Sequence, residues 1–155
     1  MNDIFHVVRL NEIDRYFELI NSFNVNAVNI VGQNLLQESI ASNNTLIGLD
    51  LISHSIDINH QDNNGQTALH YAAMARNYQL AEACINAGAD PNIDDIYGNN
   101  CLWTAVFNAK GKYEIVELYK KSGANVNSRN NAGRSPLDFA QQINDHKLIE
   151  VLTTE

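Results

Sequence analysis

Apolar residues along this chain fall into short blocks with helical spacing. Four blocks read i, i+3, i+4: Leu36/Ser39/Ile40, Leu69/Ala72/Ala73, Leu102/Ala105/Val106 and Leu137/Ala140/Gln141. Such spacing puts one stripe on one face of a short helix, and small residues in the stripe let a neighbouring helix come close. A second block follows each: Ile47/Leu51/Ile52, Leu80/Cys84/Ile85, Ile115/Val116/Tyr119 and Leu148/Ile149/Leu152. The pattern predicts four helix pairs. Polar segments at 59–65, 92–98 and 127–133, rich in Asn, Asp and Gly, suit hairpin turns between the pairs. Ahead of them, Phe5, Val8, Ile13, Phe17 and Ile20 predict one more pair over Asp3 to Ser22.

The blocks are periodic. Gly32, Gly65, Gly98 and Gly133 open the stretches GQNLLQESI, GQTALHYAA, GNNCLWTAV and GRSPLDFAQ, at intervals of 33, 33 and 35. A second marker, NVN at 24–26, DIN at 57–59, DPN at 90–92 and NVN at 125–127, advances by the same intervals. Two independent markers sharing a period, and sharing its two-residue slip, define a repeat architecture. The slip lies in NAKGKYE, where Ala109 and Lys110 are extra.

Each glycine is followed two positions later by Asn34, Thr67, Asn100 or Ser135. These are good N-caps, whose side-chain oxygens bond the free N–H groups of a first helical turn. Pro136 then stands at a first helical position, where its missing N–H costs nothing. Gly88 and Gly123 are expected to end second helices in the left-handed conformation, with Ser55 in the equivalent place of the first repeat.

This combination resembles the ankyrin repeat family, which has a 33-residue period and a T-P-L-H-x-A signature. TALHYAA is the best match, and SPLDFA and GKYEIVELYKKSGANVN match in complementary halves. The resemblance covers residues 24–155; the first repeat lacks the Ala-Ala pair and the Gly before its DIN. It implies an all-α solenoid of stacked helix-turn-helix units joined by short β-hairpin-like loops. The single domain, 1–155, divides into a capping helix pair (1–26) and repeats at 27–59, 60–92, 93–127 and 128–155. It also implies a curved slab, with hairpin tips and first helices on the concave side.

Composition narrows the function classes. The net charge is −8, the reverse of what phosphate binding needs, so neither nucleic acid nor a membrane surface is an expected partner. A basic protein is favoured by steering. No apolar run approaches the ~18 residues of a membrane span, and the first residues do not read as a signal peptide, so the expected location is cytoplasmic. Cys84 and Cys101 lack metal-ligand spacing and read as reduced and buried. Asparagine accounts for 23 residues, a count that by itself assigns no chemistry.

No residue set points to catalysis or to a cofactor. His70 would need a nucleophile and an orienting group within ~3 Å. Its counterparts are Gln37, Trp103 and Asp138, and the resemblance makes it a structural hydrogen-bonding residue. The other histidines lack zinc spacing, and Asp90, Asp94 and Asp95 lack the closing Glu of a calcium loop. The expected activity is protein binding, by a chain that is a monomer on its own. The expected partner-facing residues are Ile96, Tyr97, Met74 and Phe107, bordered by Tyr71 and Trp103, with an acidic edge from Asp62, Asp94 and Asp95. Ile30 and Val31 are expected to pack against the cap. The specific reading is a small immunity or inhibitor protein that neutralises a basic toxin or enzyme. The alternative is an adaptor, a regulatory subunit, or an effector that binds a host protein.

Overall fold

A computed structural model describes residues 3–155; residues 1 and 2 of the expected cap lie outside the described residues. The leading pair is α1 (Ile4–Arg9) and α2 (Ile13–Leu19), the latter running into a 3-10 turn at Ile20–Ser22. The repeats follow as α3 (Leu35–Ala41) with α4 (Thr45–Ser53), α5 (Ala68–Ala75) with α6 (Tyr78–Asn86), α7 (Cys101–Asn108) with α8 (Glu114–Lys121), and α9 (Pro136–Gln142) with α10 (His146–Thr153). The odd-numbered helices pack in one row, α1 on α3 through to α7 on α9, and α4, α6, α8 and α10 form a second row. Among the described residues there is no strand, only an isolated bridge between Val28 and Asn34. The longest of these helices has nine residues. Isolated helices that short are unstable in water, so lateral packing must hold them.

The predicted stripes are the core. Leu36, Ile40, Leu69, Ala72, Ala73, Leu102, Ala105, Val106 and Ala140 are buried, as are Ile47, Leu51, Leu80, Cys84, Val116, Tyr119, Leu148 and Leu152. Gln141 occupies the position of Ile40, Ala73 and Val106 but is exposed: α9 packs on α7 and α10, and among the described residues no further first helix lies against it. One predicted core position is corrected: Phe17 is exposed, and Tyr16 turns inward instead. The Tyr16 hydroxyl finds a partner there, donating to Asp50 at 2.6 Å and tying α2 to α4. A buried phenol needs such an acceptor.

The turns inside the pairs use left-handed residues that are not glycine. Asn11, Asn43, Arg76 and Asn144 have φ between 52° and 59°. The next N–H in each case reaches back five residues, as in Asn77 to the Ala72 carbonyl at 3.0 Å and Glu12 to Val7 at 3.0 Å, which closes the end of the first helix. The leading pair therefore turns as the repeats do and lacks only a hairpin tip. Gly88 and Gly123 end α6 and α8 with φ 89° and 92°, and Ser55 after α4 has φ 56°.

One acid or amide side chain organises each hairpin tip. Asn29, Asp62, Asp95 and Asn130 accept, on Oδ1, the N–H groups two and four residues on; for Asp95 these are Tyr97 at 2.8 Å and Asn99 at 3.0 Å. The carbonyl of the same residue accepts from the tip glycine. Each tip then donates to the one before it: Asn63 N–H to the Val31 carbonyl, Ile96 to Asn64 and Asn131 to Tyr97, at 2.9–3.2 Å.

The N-x-N marker is a second ladder. Its first residue closes its own turn through Oδ1, and its last residue accepts the backbone N–H of the next marker. Thus Asn26 accepts from Asp57, Asn59 from Asp90 and Asn92 from Asn125, at 2.8–2.9 Å. Part of the asparagine excess is this set of short amide side chains, each matched to a backbone group one repeat away.

The tips also fix the glycines. Gly65 has φ 73°, and a Cβ there would stand 3.0 Å from the Ile96 nitrogen of the next tip; at Gly133, φ is 75° and nothing lies within 4 Å. Gly133→Ala is expected to cost the left-handed strain alone, about 1 kcal/mol. Gly65→Ala adds a clash with backbone and is expected to cost at least about twice that. Urea unfolding of the two variants measures the difference; equal losses would show that tip-to-tip contact does not constrain the glycine.

Candidate partner-binding surface

Each first helix opens with a cap and a reach to the next repeat. Asn34 Oδ1 accepts from the Gln37 N–H at 3.0 Å, and Gln37 Oε1 accepts from the Asn34 N–H at 2.9 Å, a reciprocal capping box. The Gln37 amide also donates to the Gln66 carbonyl at 2.7 Å. His70 Nε2 lies 2.9 Å from the Asn99 carbonyl, and the Trp103 indole N–H donates to the Arg134 carbonyl at 3.3 Å. Amide, imidazole and indole thus make one bond, to the carbonyl just before the next N-cap. Asp138, at this position in the last repeat, offers no N–H and closes only its own box, accepting from Ser135 N–H at 2.9 Å.

This geometry sets the chemistry of His70. Its Nδ1 accepts the Thr67 N–H at 3.1 Å and therefore carries no proton, so Nε2–H is the donor. Burial pushes its pKa below the usual histidine value, against the opposing pull of the Asn99 bond and nearby carboxylates. The ring is fully buried with both nitrogens engaged, and the adjacent hydroxyl, Thr67, belongs to the cap. The cysteines are buried as well, and desolvation moves Cys84 up to about 12 and Cys101 well above its ordinary value. Among the described residues no three His, Cys, Asp or Glu side chains gather as a metal-holding group, and no helix is long and apolar enough to cross a membrane.

The tips and first helices carry many of the exposed apolar residues. Ile96, Tyr97, Met74 and Phe107 are all exposed, Tyr97 at 60% and Phe107 at 57%. Trp103 stacks on Phe107 with centroids 5.7 Å apart, and both rings lie 5.5 Å from Phe139. Phe139 was not legible as part of this patch, because its repeat counterparts, Glu38, Tyr71 and Thr104, share no chemistry with it. Ile143 extends the apolar wall and is exposed. Ile30 is not packed against the leading pair as expected: it is 99% exposed, and Val31 is exposed too, because α1 and α2 supply no tip to cover them.

The acidic edge is smaller than expected. Asp62 and Asp95 are buried, and their carboxylates hold the tip turns. Asp62 also accepts the Tyr71 hydroxyl at 2.6 Å, and Tyr71 in turn accepts from Gln33, so the Tyr71 hydroxyl is fully engaged. Glu38 is buried against Arg9 in a two-pronged pair, 3.0 Å on each arm, that fastens α1 to α3. Asp138 pairs with Arg129 at 2.8 Å. Of the acids on tips and first helices, only Asp94 is exposed and unpaired.

His70→Ala strips the buried Thr67 N–H of its partner, leaves the Asn99 carbonyl only its bond from Asp95 and empties the space of a buried ring, and is expected to cost about 3 kcal/mol. His70→Gln, which copies Gln37, is expected to cost about 1 kcal/mol or less. Because the folded pKa is lowered, stability is full above the unfolded value near 6.5 and falls as pH drops below it. Urea unfolding at about pH 7.5 and about pH 5.5 should show a smaller acid loss in His70→Gln than in the parent. Equal acid losses would mean that His70 is not held neutral by the fold.

The family model described as ankyrin repeats (3 copies) matches residues 5–95 and 39–130. An ankyrin repeat protein of fowlpox virus (strain NVSL) is 31% identical over 154 residues, covering 98% of this chain and 26% of that protein. The Drosophila melanogaster neurogenic locus Notch protein is 33% identical over 107 residues, 68% of this chain and 4% of its own length. The mitochondrial disaggregase of Bos taurus is 29% identical, with 77% of this chain and 23% of that protein covered. The chain spans about a quarter or less of these relatives. Repeats of this kind are protein–protein interaction modules, built so that wall residues vary while the stack stays fixed. The family model's matches together span residues 5–130, well over half of the chain, and the chain belongs to the ankyrin repeat family.

Proposed function

We propose that this chain is a non-enzymatic binding module that seats a partner protein on the wall formed by its tips and first helices, centred on repeats two and three. The observation that carries this reading is the exposure of Met74, Ile96, Tyr97 and Phe107 on tips and first helices of repeats two and three, with Phe107 part of the Trp103–Phe107–Phe139 cluster. Large apolar and aromatic side chains at a wall's centre are the composition of binding hot spots. With Asp62 and Asp95 holding turns, the contact is apolar, bordered by Asp94. The net charge of −8 supports a basic partner through steering at a distance. On that ground the specific reading is an immunity-type inhibitor that acts as a cytoplasmic monomer on a basic toxin or enzyme.

Capture of the partner from the native cell, followed by titration, tests the surface. Ala substitutions at Met74, Ile96, Tyr97 and Phe107 should each weaken binding by about 1–3 kcal/mol; the unfolding midpoint should hold for the first three, whose side chains are exposed, and fall for Phe107→Ala, which loses its ring contacts with Trp103 and Phe139. Four variants that bind like the parent would remove this wall from the account. A captured partner whose activity survives saturation would remove the inhibitor reading and leave the module.

A further inference from the structure

The two-residue insertion builds a groove on the opposite side from the hairpin tips. Ala109 and Lys110 lengthen the turn between α7 and α8, and Lys110 and Gly111 take φ of 47° and 82° there. Beside this turn lies a groove of about 460 Å³. Its floor is apolar, from Ala73, Ala105, Ala109 and Ile115. Its rim carries Arg76, Lys112 and Lys121 against Glu114 and Glu117.

The rim is set apart by where the chain's cations go. Arg9, Arg129 and Lys147 pair with carboxylates. Lys120 donates to the Val151 and Thr154 carbonyls, and Arg134 to Gln142. Arg15 is engaged too. The cations left without a partner among the described residues are Arg76, Lys110, Lys112 and Lys121. Three line this groove, and the fourth sits in the inserted turn beside it. In a chain of net charge −8, this rim gathers three cations against two carboxylates. The two rim carboxylates lie in the first turn of α8, where the helix N-terminus partly offsets their charge.

We propose that this groove binds an acidic, extended segment of a second protein, anchored by one aliphatic side chain on the alanine floor. Lys112 precedes α8 and Lys121 closes it; an eight-residue helix is about 12 Å long. Four residues of extended chain span about 13 Å, and residues i, i+2 and i+4 point the same way. The matching ligand is acid-x-aliphatic-x-acid, its carboxylates at the two cationic ends. Because the groove lies apart from the tips, the chain would hold two proteins at once.

A capped peptide, glutamate-serine-leucine-serine-glutamate, titrated into isotope-labelled protein tests this by NMR. Saturable shifts are expected at amides of 109–112 and α8, with those of Ile96 and Tyr97 unmoved. Reversal at both Lys112→Glu and Lys121→Glu should weaken binding at least tenfold with the circular dichroism unchanged, and replacing the peptide's leucine by serine should weaken it too. Ile96→Ala and Tyr97→Ala should leave it as it was, which separates this site from the wall. The proposal is overturned by the lack of any saturable shift at millimolar peptide, by equal binding of a lysine-for-glutamate peptide, or by indifference to both reversals.

Discussion

The carbonyl just ahead of each N-cap is the atom on which neighbouring repeats meet. It stands at the point where a hairpin returns into a helix, and it already accepts one N–H from its own hairpin, Asp62 to Gln66, Asp95 to Asn99 and Asn130 to Arg134, which leaves one lone pair for the neighbouring repeat. Gln37, His70 and Trp103 each reach it from the repeat before, at Gln66, Asn99 and Arg134. With the tip-to-tip bonds and the asparagine bonds, three polar ladders run along the stack. Each is satisfied only if successive repeats stand at one spacing and one rotation. The apolar stripes supply most of the attraction, since burial is roughly proportional to area and has little direction. The ladders supply the register, because a buried backbone group left unpaired is expensive. The wall's geometry follows from that register.

The same constraint explains which acids face solvent. Asp62 and Asp95 stand at the base of a tip that must hold several N–H groups together, and a carboxylate or amide accepts them where other side chains cannot. Their charge is committed to the fold. The proposed contacts are side chains with no ladder duty: Ile96, Tyr97, Met74 and Phe107 on the wall, and the unpaired cations around the inserted turn. The two-residue insertion lies in a turn between paired helices, away from the tips and the N-x-N markers, so both of those ladders stay in phase, and Tyr113 just after it still donates to Asp145 of the next repeat at 2.9 Å.

The architecture was legible because it rests on spacing. Two markers with one period place the helices, and the residues at i, i+3 and i+4 name the core almost to the side chain. The bonds were less legible. Gln37, His70 and Trp103 share an N–H at a similar reach and nothing else that a sequence comparison would group. Asp62 reads as a surface charge until the tip's N–H groups are seen around it. Tyr16 and Phe17 are adjacent, and which one turns inward depends on Asp50, more than thirty residues away. Ile30 reads as a packed residue, because a leading helix pair without a tip cannot be recognised from apolar spacing alone. Of the proposed wall, Phe107 and Tyr97 stand out in the sequence as aromatic residues on outward positions, whereas Phe139 meets Phe107 and Trp103 only through the packing of α9 on α7.

Native-state amide hydrogen exchange tests the dependence on register most directly. The N–H groups of Asp57, Asp90 and Asn125, and those of Asn63, Ile96 and Asn131, are on exposed loops yet bonded across repeats. The corresponding N–H of Ile30 has no tip before it and, among the described residues, no acceptor. The account predicts that the six bonded amides are protected close to the level of the helices while Ile30 exchanges freely. If all seven exchange at the rate of an open loop, the ladders are not what sets the stack.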